Sequence, residues 1–236
     1  MNSQYKFGSV PMAFLPSPLA SFLEAQTERV PKRERTRRQL ISAAIRVLSA
    51  RGVADATIQE IAAVAETTAG TVYNHFRTKN DVVQAVALWV TDSLCRRIAD
   101  SYAHVGEGAE RMAIGNRRYI WLAEQSPAWA LLLLDVATAA PDLMQQITGD
   151  ARADLKLGIR QKSFRVASEA AAMDLISGTV AQAMRSVAHG FAPARHGSAV
   201  AATVLRGLGM PFDEALEVAR RPLPEFPKVA GATSRR

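Results

Sequence analysis

Apolar residues recur along this chain with the period of a helix and almost nowhere with that of a strand. Leu40, Ile41, Ala44, Ile45 and Leu48 form one stripe, which predicts a helix that begins near Pro31–Glu34 and stops at Gly52. Thr57-Ile-Gln-Glu60 has capping-box spacing: the hydroxyl accepts from the backbone three residues on while the Glu reaches back. It opens a short helix, Ile58 to Ala65, with Ile61, Ala62 and Ala65 facing inward. Glu66-Thr67 reads as a tight turn, and Thr68 as the N-cap of a third helix that buries Val72 and Phe76 and ends there. Thr78-Lys-Asn-Asp81 is a second start signal, for a long helix through Val82, Val86, Trp89, Val90 and Leu94.

Helix follows helix from there. Gly106–Gly108 breaks one, Ser126-Pro127 and Ala140-Pro141 start others, and a segment through Asp154 and Ile159 ends near Phe164–Arg165. Two long helices rich in small residues are expected at about 167–189 and 193–208, and a short one at Asp213 to Arg220. Nine or ten helices and no sheet make the chain all-α. The expected organisation is a disordered leader over 1–30, a three-helix unit over 31–79, a larger helical domain over 80–221, and a disordered tail over 222–236.

Two short helices joined by a tight turn and braced by a first helix make a helix-turn-helix, whose second helix is the one presented to a DNA major groove. The residue types on that helix suit the task. Ala69 and Gly70 let the backbone approach, and Thr67, Thr71 and Asn74 can reach base edges or a thymine methyl, with Gln59 beside them on the preceding helix. Thr68, Tyr73 and His75 are placed for phosphate oxygens, and Lys79 can neutralise one. The helix N-termini at Thr57 and Thr68 add N–H groups that favour anions. Arg35, Arg37 and Arg38, at the start of the first helix, would lie along the flanking backbone.

Charge agrees with that placement. The net charge is +7, and residues 1–80 hold 11 Lys/Arg against 6 Asp/Glu, so a third of the chain carries most of the excess. With 48% apolar residues the chain has a core to bury. Its one cysteine, Cys95, excludes an internal disulfide and a cysteine-based metal cluster. The longest apolar run, Ala128 to Leu134, is too short for a bilayer, which predicts a cytoplasmic protein with no membrane partner. There is no P-loop, dinucleotide turn, nucleophile elbow or zinc-protease motif, and His75, His104, His189 and His196 are scattered, so neither catalysis, a metal nor a cofactor is expected.

The stretch "TIQEIAAVAETTAGTVYNHFRTKNDVVQAV" resembles the DNA-binding domain of the TetR (tetracycline-repressor) family of transcriptional regulators. The matching positions are Thr57, Ile61-Ala62, Thr68, Gly70, Tyr73, His75-Phe76 and Lys79. One departs: Glu66 stands where the family's turn usually has Gly, a position that tends to need φ > 0. The resemblance implies a C-terminal domain that binds a small-molecule effector and forms a homodimer through its last two long helices. On that plan Trp89, Tyr102, Met112, Trp121, Trp129, Met144, Phe164 and Met173 would surround a central pocket, and few buried charges suggest an apolar or amphipathic effector. It further implies a repressor released from an inverted-repeat DNA operator by that effector. The alternative is a helical ligand-binding or adaptor protein whose helix-turn-helix no longer binds DNA specifically, and Glu66 is the feature that favours it.

Overall fold

A computed structural model of the protein describes residues 31–140 and 148–227. The expected leader, the helix start at Ala140-Pro141 and Met144 therefore fall wholly or partly outside the described residues. Among those described, the secondary structure is helical throughout, without strands.

Helix α1, Lys32–Asp55, buries Leu40, Ile41, Ala44, Ile45 and Leu48, and Gly52 breaks its helical geometry at φ 77° and ψ 163°. Helix α2, Ile58–Val64, and helix α3, Ala69–His75, follow as short elements. Helix α4, Lys79–Val90, starts from a complete Thr78–Asp81 capping box. The long fourth helix expected from periodicity is not uniform. Thr91–Cys95 form a π-helical turn before α5, Arg96–Asp100, and the Thr91 hydroxyl donates to the Ala87 carbonyl at the junction. An apolar stripe does not distinguish an α turn from a π turn, since both keep Val90, Leu94 and Cys95 inside.

The larger domain is built around α6, Gly108–Gln125. It packs against α7 (Pro127–Ala139), α8 (Gly149–Arg160), α9 (Glu169–Ala188), α10 (His196–Gly207) and α11 (Phe212–Arg220). Pro127 occupies the first turn of α7, where its missing N–H costs nothing. Helix α10 begins at His196 rather than near Pro193, after a left-handed Arg195 (φ 61°). Close backbone approach joins α6 to α8. A Cβ on Gly108 would stand 2.4 Å from the Gly158 nitrogen, and one on Gly158 only 2.2 Å from the Phe164 ring.

The tail also differs from expectation. Residues Arg221–Pro227 run along α6, where Arg117 and Arg118 donate to the carbonyls of Arg221 and Pro224, and Arg97 to that of Pro227. Phe226 packs on Trp121, with ring centroids 5.6 Å apart, and lies 4.0 Å beneath the Arg118 guanidinium. The prolines that read as breakers leave those carbonyls unused by any helix, and the arginines take them. The disordered-tail reading is thus corrected for residues 222–227.

The glycine contacts give a direct check. Gly158→Ala should cost about 1–3 kcal/mol, because the new methyl must displace the Phe164 ring. The expected result is a lower urea midpoint with an unchanged slope.

Candidate nucleic-acid interface and ligand cavity

The helix-turn-helix is set by backbone hydrogen bonds at each junction. Thr57 Oγ1 accepts from the Glu60 N–H at 3.2 Å, and Glu60 Oε2 accepts from the Thr57 N–H at 3.0 Å. The Thr57 hydroxyl bond holds the Glu60 carboxyl below its ordinary value, assisted by Arg51, which reaches it from α1 at 3.1 Å. Gln39 Nε2 donates to the Ala65 carbonyl at 3.0 Å and closes the far end of α2. Neither Gln39 nor Arg51 was singled out from the sequence, since each reads as an ordinary polar residue on a solvated face.

The turn itself is a Schellman closure. The Thr67 N–H donates to the Ala62 carbonyl at 3.0 Å and the Glu66 N–H to the Ala63 carbonyl at 3.1 Å. This geometry places Glu66 in the left-handed region at φ 54°. The departure seen in the sequence is therefore real strain in an otherwise regular turn, and helix α3 leaves it in normal geometry. Thr68 caps α3 by accepting from the Thr71 N–H at 3.2 Å, and its hydroxyl lies 3.2 Å from that of Thr71.

Helix α3 shows one face to its neighbours and one to solvent. Val72 and Phe76 are buried, while Thr68, Gly70, Tyr73 and Asn74 are exposed. Thr67, Ala69, Thr71 and His75 are half-buried at the rim, and Thr57 and Gln59 are exposed beside them. Arg35 is exposed on α1. Arg37 instead stacks over Phe76 at 5.2 Å, and Arg38 pairs with Glu34 at 3.1 Å. Lys79 Nζ donates to the Ala54 carbonyl at 2.6 Å, so its charge caps the end of α1 as well as standing beside α3.

Behind this unit, α6, α7, α8 and α9 line a partly open cavity of about 110 Å³. Of the pocket residues expected from sequence, Tyr102 and Met112 line it. The others do not. Trp89 stacks on Trp129 at 6.2 Å between α4 and α7, Trp121 packs on Phe226, Phe164 covers Gly158, and Met173 is core. Each large side chain fills space away from the cavity, Trp121 against the docked tail. The lining includes Asn116 and Tyr119 of α6, Leu133 and Ala137 of α7, Asp150 and Asp154 of α8, and Ile176 and Met184 of α9. Asn116 carried a legible signal: it stands four residues after Met112 and four before Ile120, one polar position on an apolar stripe.

The expectation of few buried charges is corrected as well. Asp154 is 2% exposed and accepts from Arg111 Nε at 2.5 Å. Arg111 Nη1 also reaches the carbonyls of Tyr102, Ala103 and Val105, at 3.3–3.5 Å. Burial raises the carboxyls of Asp154 and Asp150, against the opposing pull of Arg111. Burial also pushes the Cys95 thiol up to about 11, opposite to what a reactive thiolate needs. Asn116 Nδ2 has no hydrogen-bond partner among the described residues, although Asn116 is 4% exposed.

Two family descriptions match separate parts of the chain. Residues 40–86 match the family described as bacterial regulatory proteins, tetR family, and residues 107–221 match the tetracyclin repressor-like C-terminal domain. The HTH-type transcriptional regulator SrpR of Pseudomonas putida is 51% identical over 53 residues, which are 22% of this chain and 25% of SrpR. The match thus spans about a quarter of that relative's length. The crystal structure of RolR in complex with resorcinol superposes with a TM-score of 0.67 and 29% identity, covering 84% of this chain and all of RolR. FadR from Bacillus subtilis in complex with stearoyl-CoA, at 16% identity, shares the fold with a TM-score of 0.61 and covers 73% of this chain and 97% of its own.

Glu66 supplies the test of the turn. Left-handed geometry costs a non-glycine residue about 1–2 kcal/mol, more than the chain entropy glycine loses, about 0.5–1 kcal/mol. Glu66→Gly should therefore raise stability by about 0.5–1 kcal/mol, read as a higher urea midpoint with unchanged helical circular dichroism.

Proposed function

The chain belongs to the TetR family of bacterial transcriptional regulators, and from that premise we propose that it is a homodimeric repressor released from an inverted-repeat operator by a small-molecule effector. The observation that carries the DNA half is the outward face of α3. Seven residues long, it keeps Val72 buried and Phe76 under its end, and offers Thr68, Gly70, Tyr73 and Asn74 to solvent. Thr67, Ala69, Thr71 and Asn74 would meet base edges, with Gln59 adjoining. Thr57, Thr68, Tyr73, His75 and Lys79 would hold phosphates, and Arg35, Arg37 and Arg38 would follow the flanking backbone.

A helix-turn-helix reads a two-fold site with a two-fold protein. Helices α9 and α10 suit that dimer. Leu175 is 36% exposed on α9 beside Gly207 of α10, and Gly178 has open space where a side chain would stand. Small residues on that face let a second copy approach closely.

The cavity is the effector site in this reading. Its volume suits one ring rather than a long acyl chain. RolR was crystallised with resorcinol, a single ring, which favours an effector of that size here. Helix α7 contributes Leu133, Leu134 and Ala137 to the cavity and packs on α1 and α4. A ligand that prefers one setting of α7 would therefore bias the spacing of the two α3 helices, and its effect on DNA affinity is bounded by its differential affinity for the two settings.

A selection of random duplexes by the purified protein tests the proposal. An enriched inverted repeat with half-sites about 34–36 Å apart, or a little more, is the expected result. On the selected duplex, Arg35→Ala should lower the slope of log affinity against log salt by about 1 per subunit. Absence of enrichment, with weak binding lost as salt rises, would contradict the proposal. It would favour a ligand-binding adaptor, the reading that Glu66, an exposed carboxylate at the foot of α3, otherwise supports.

A further inference from the structure

We propose that the cavity selects a neutral hydroxylated single-ring arene, with Asn116 donating to a ring oxygen and the carboxylate of Asp150 accepting from a ring hydroxyl. The inference rests on the reading of this cavity as the effector site, and it concerns what chemistry that site admits.

Three observations point the same way. The first is size and wall. The space is about 110 Å³, the order that holds one aromatic ring with small substituents. Met112, Leu133, Ile176, Val180 and Met184 give it apolar, partly polarisable sides suited to the faces of a ring.

The second is an unmet donor. Asn116 is 4% exposed, lines the cavity, and leaves Nδ2 without a hydrogen-bond partner among the described residues. A buried N–H of that kind costs free energy until something accepts from it. A hydrocarbon occupant would leave it unmet, whereas a ring hydroxyl oxygen satisfies it. An acceptor is available on α8, where Asp150 lines the same cavity and is exposed to solvent.

The third is the state of the cation. Arg111 is the guanidinium nearest the lining carboxylates, and it is already engaged. Its Nε is held by Asp154, and its Nη1 reaches the carbonyls just past α5. Among the described residues no Lys or Arg lines the cavity, so an anionic ligand would meet Asp150 and Asp154 with no unengaged cation beside them, and carboxylates and phosphates are disfavoured by charge. A cationic ligand would leave the Asn116 donor facing a positive charge. A neutral molecule that both accepts and donates fits all the groups present, and Tyr102 and Tyr119 add aromatic edges to the wall.

Calorimetric titration of the full-length protein with phenol, the three dihydroxybenzenes, benzoate, cyclohexanol and toluene tests this. The expected order has at least one dihydroxybenzene binding ten-fold or more tighter than toluene, cyclohexanol and benzoate, because a site built around hydrogen bonds rejects analogues that lack them. Asn116→Leu should weaken the best dihydroxybenzene ten-fold or more and leave toluene unchanged or tighter. Met184→Trp, which fills the space, should remove binding of every probe. Toluene or benzoate binding as well as the dihydroxybenzenes, or no probe binding at all, would overturn the inference without recourse to any variant. Equal dihydroxybenzene affinity in a folded Asn116→Leu protein would also overturn it. Failure of this ranking with duplex enrichment intact removes the effector class alone. The ranking without duplex enrichment removes the regulatory reading alone.

Discussion

Helix α7 is apolar on nearly every face because both halves of the molecule use it. Its sequence, PAWALLLLDVATA, would be unstable as a surface helix, and here it is wedged. One side packs against α1 and α4 of the helix-turn-helix unit, and the other against α6 and α9. Leu133, Leu134 and Ala137 reach the cavity from the same helix whose Trp129 stacks on Trp89 of α4. A close-packed interior transmits displacement rather than absorbing it. The helix-turn-helix unit and the cavity thus share α7 as a common packing element.

The other route between the halves is the rod formed by α4, the π turn and α5. Its N-terminus is fixed by the Thr78–Asp81 capping box and by Lys79 on the Ala54 carbonyl. At the other end, the carbonyls of Tyr102, Ala103 and Val105, just past α5, face Arg111, which Asp154 holds from α8. Asp154 and Tyr102 both line the cavity. The buried pair therefore anchors the distal end of the rod at the cavity wall. Between the ends, the π turn around Cys95 is the least regular part of the rod. The docked segment Arg221–Pro227 braces the opposite side of α6, so that helix is held from both faces.

The DNA-binding half was largely legible in the sequence because its signals are local. Thr57, Thr68 and Thr78 each cap the helix they were expected to cap, and Gly52 breaks α1 where its stripe ends. The left-handed strain at Glu66 was readable for the same reason, since a turn of this form constrains one φ angle. The cavity was not legible in the same way. Which side chains face it depends on how five segments distant in sequence pack, and aromatic size was only a partial guide. Trp89, Trp121, Trp129 and Phe164 pack away from the cavity, which keeps Tyr102 and Tyr119 beside smaller apolar residues and the polar Asn116, Asp150 and Asp154. The docked tail was missed because, apart from Phe226, its attachment uses backbone carbonyls, which leave no mark in a sequence.

The central claim is that the contents of the cavity are felt at α3. The most direct measurement is the affinity of the protein for its selected duplex, at one fixed salt concentration, with and without the arene that binds best. Coupling between two sites typically changes affinity about 5–150-fold. A fall within that range on adding the ligand, with the protein still folded and dimeric, is what the account predicts. The same affinity in both conditions, with the cavity demonstrably occupied, would contradict it.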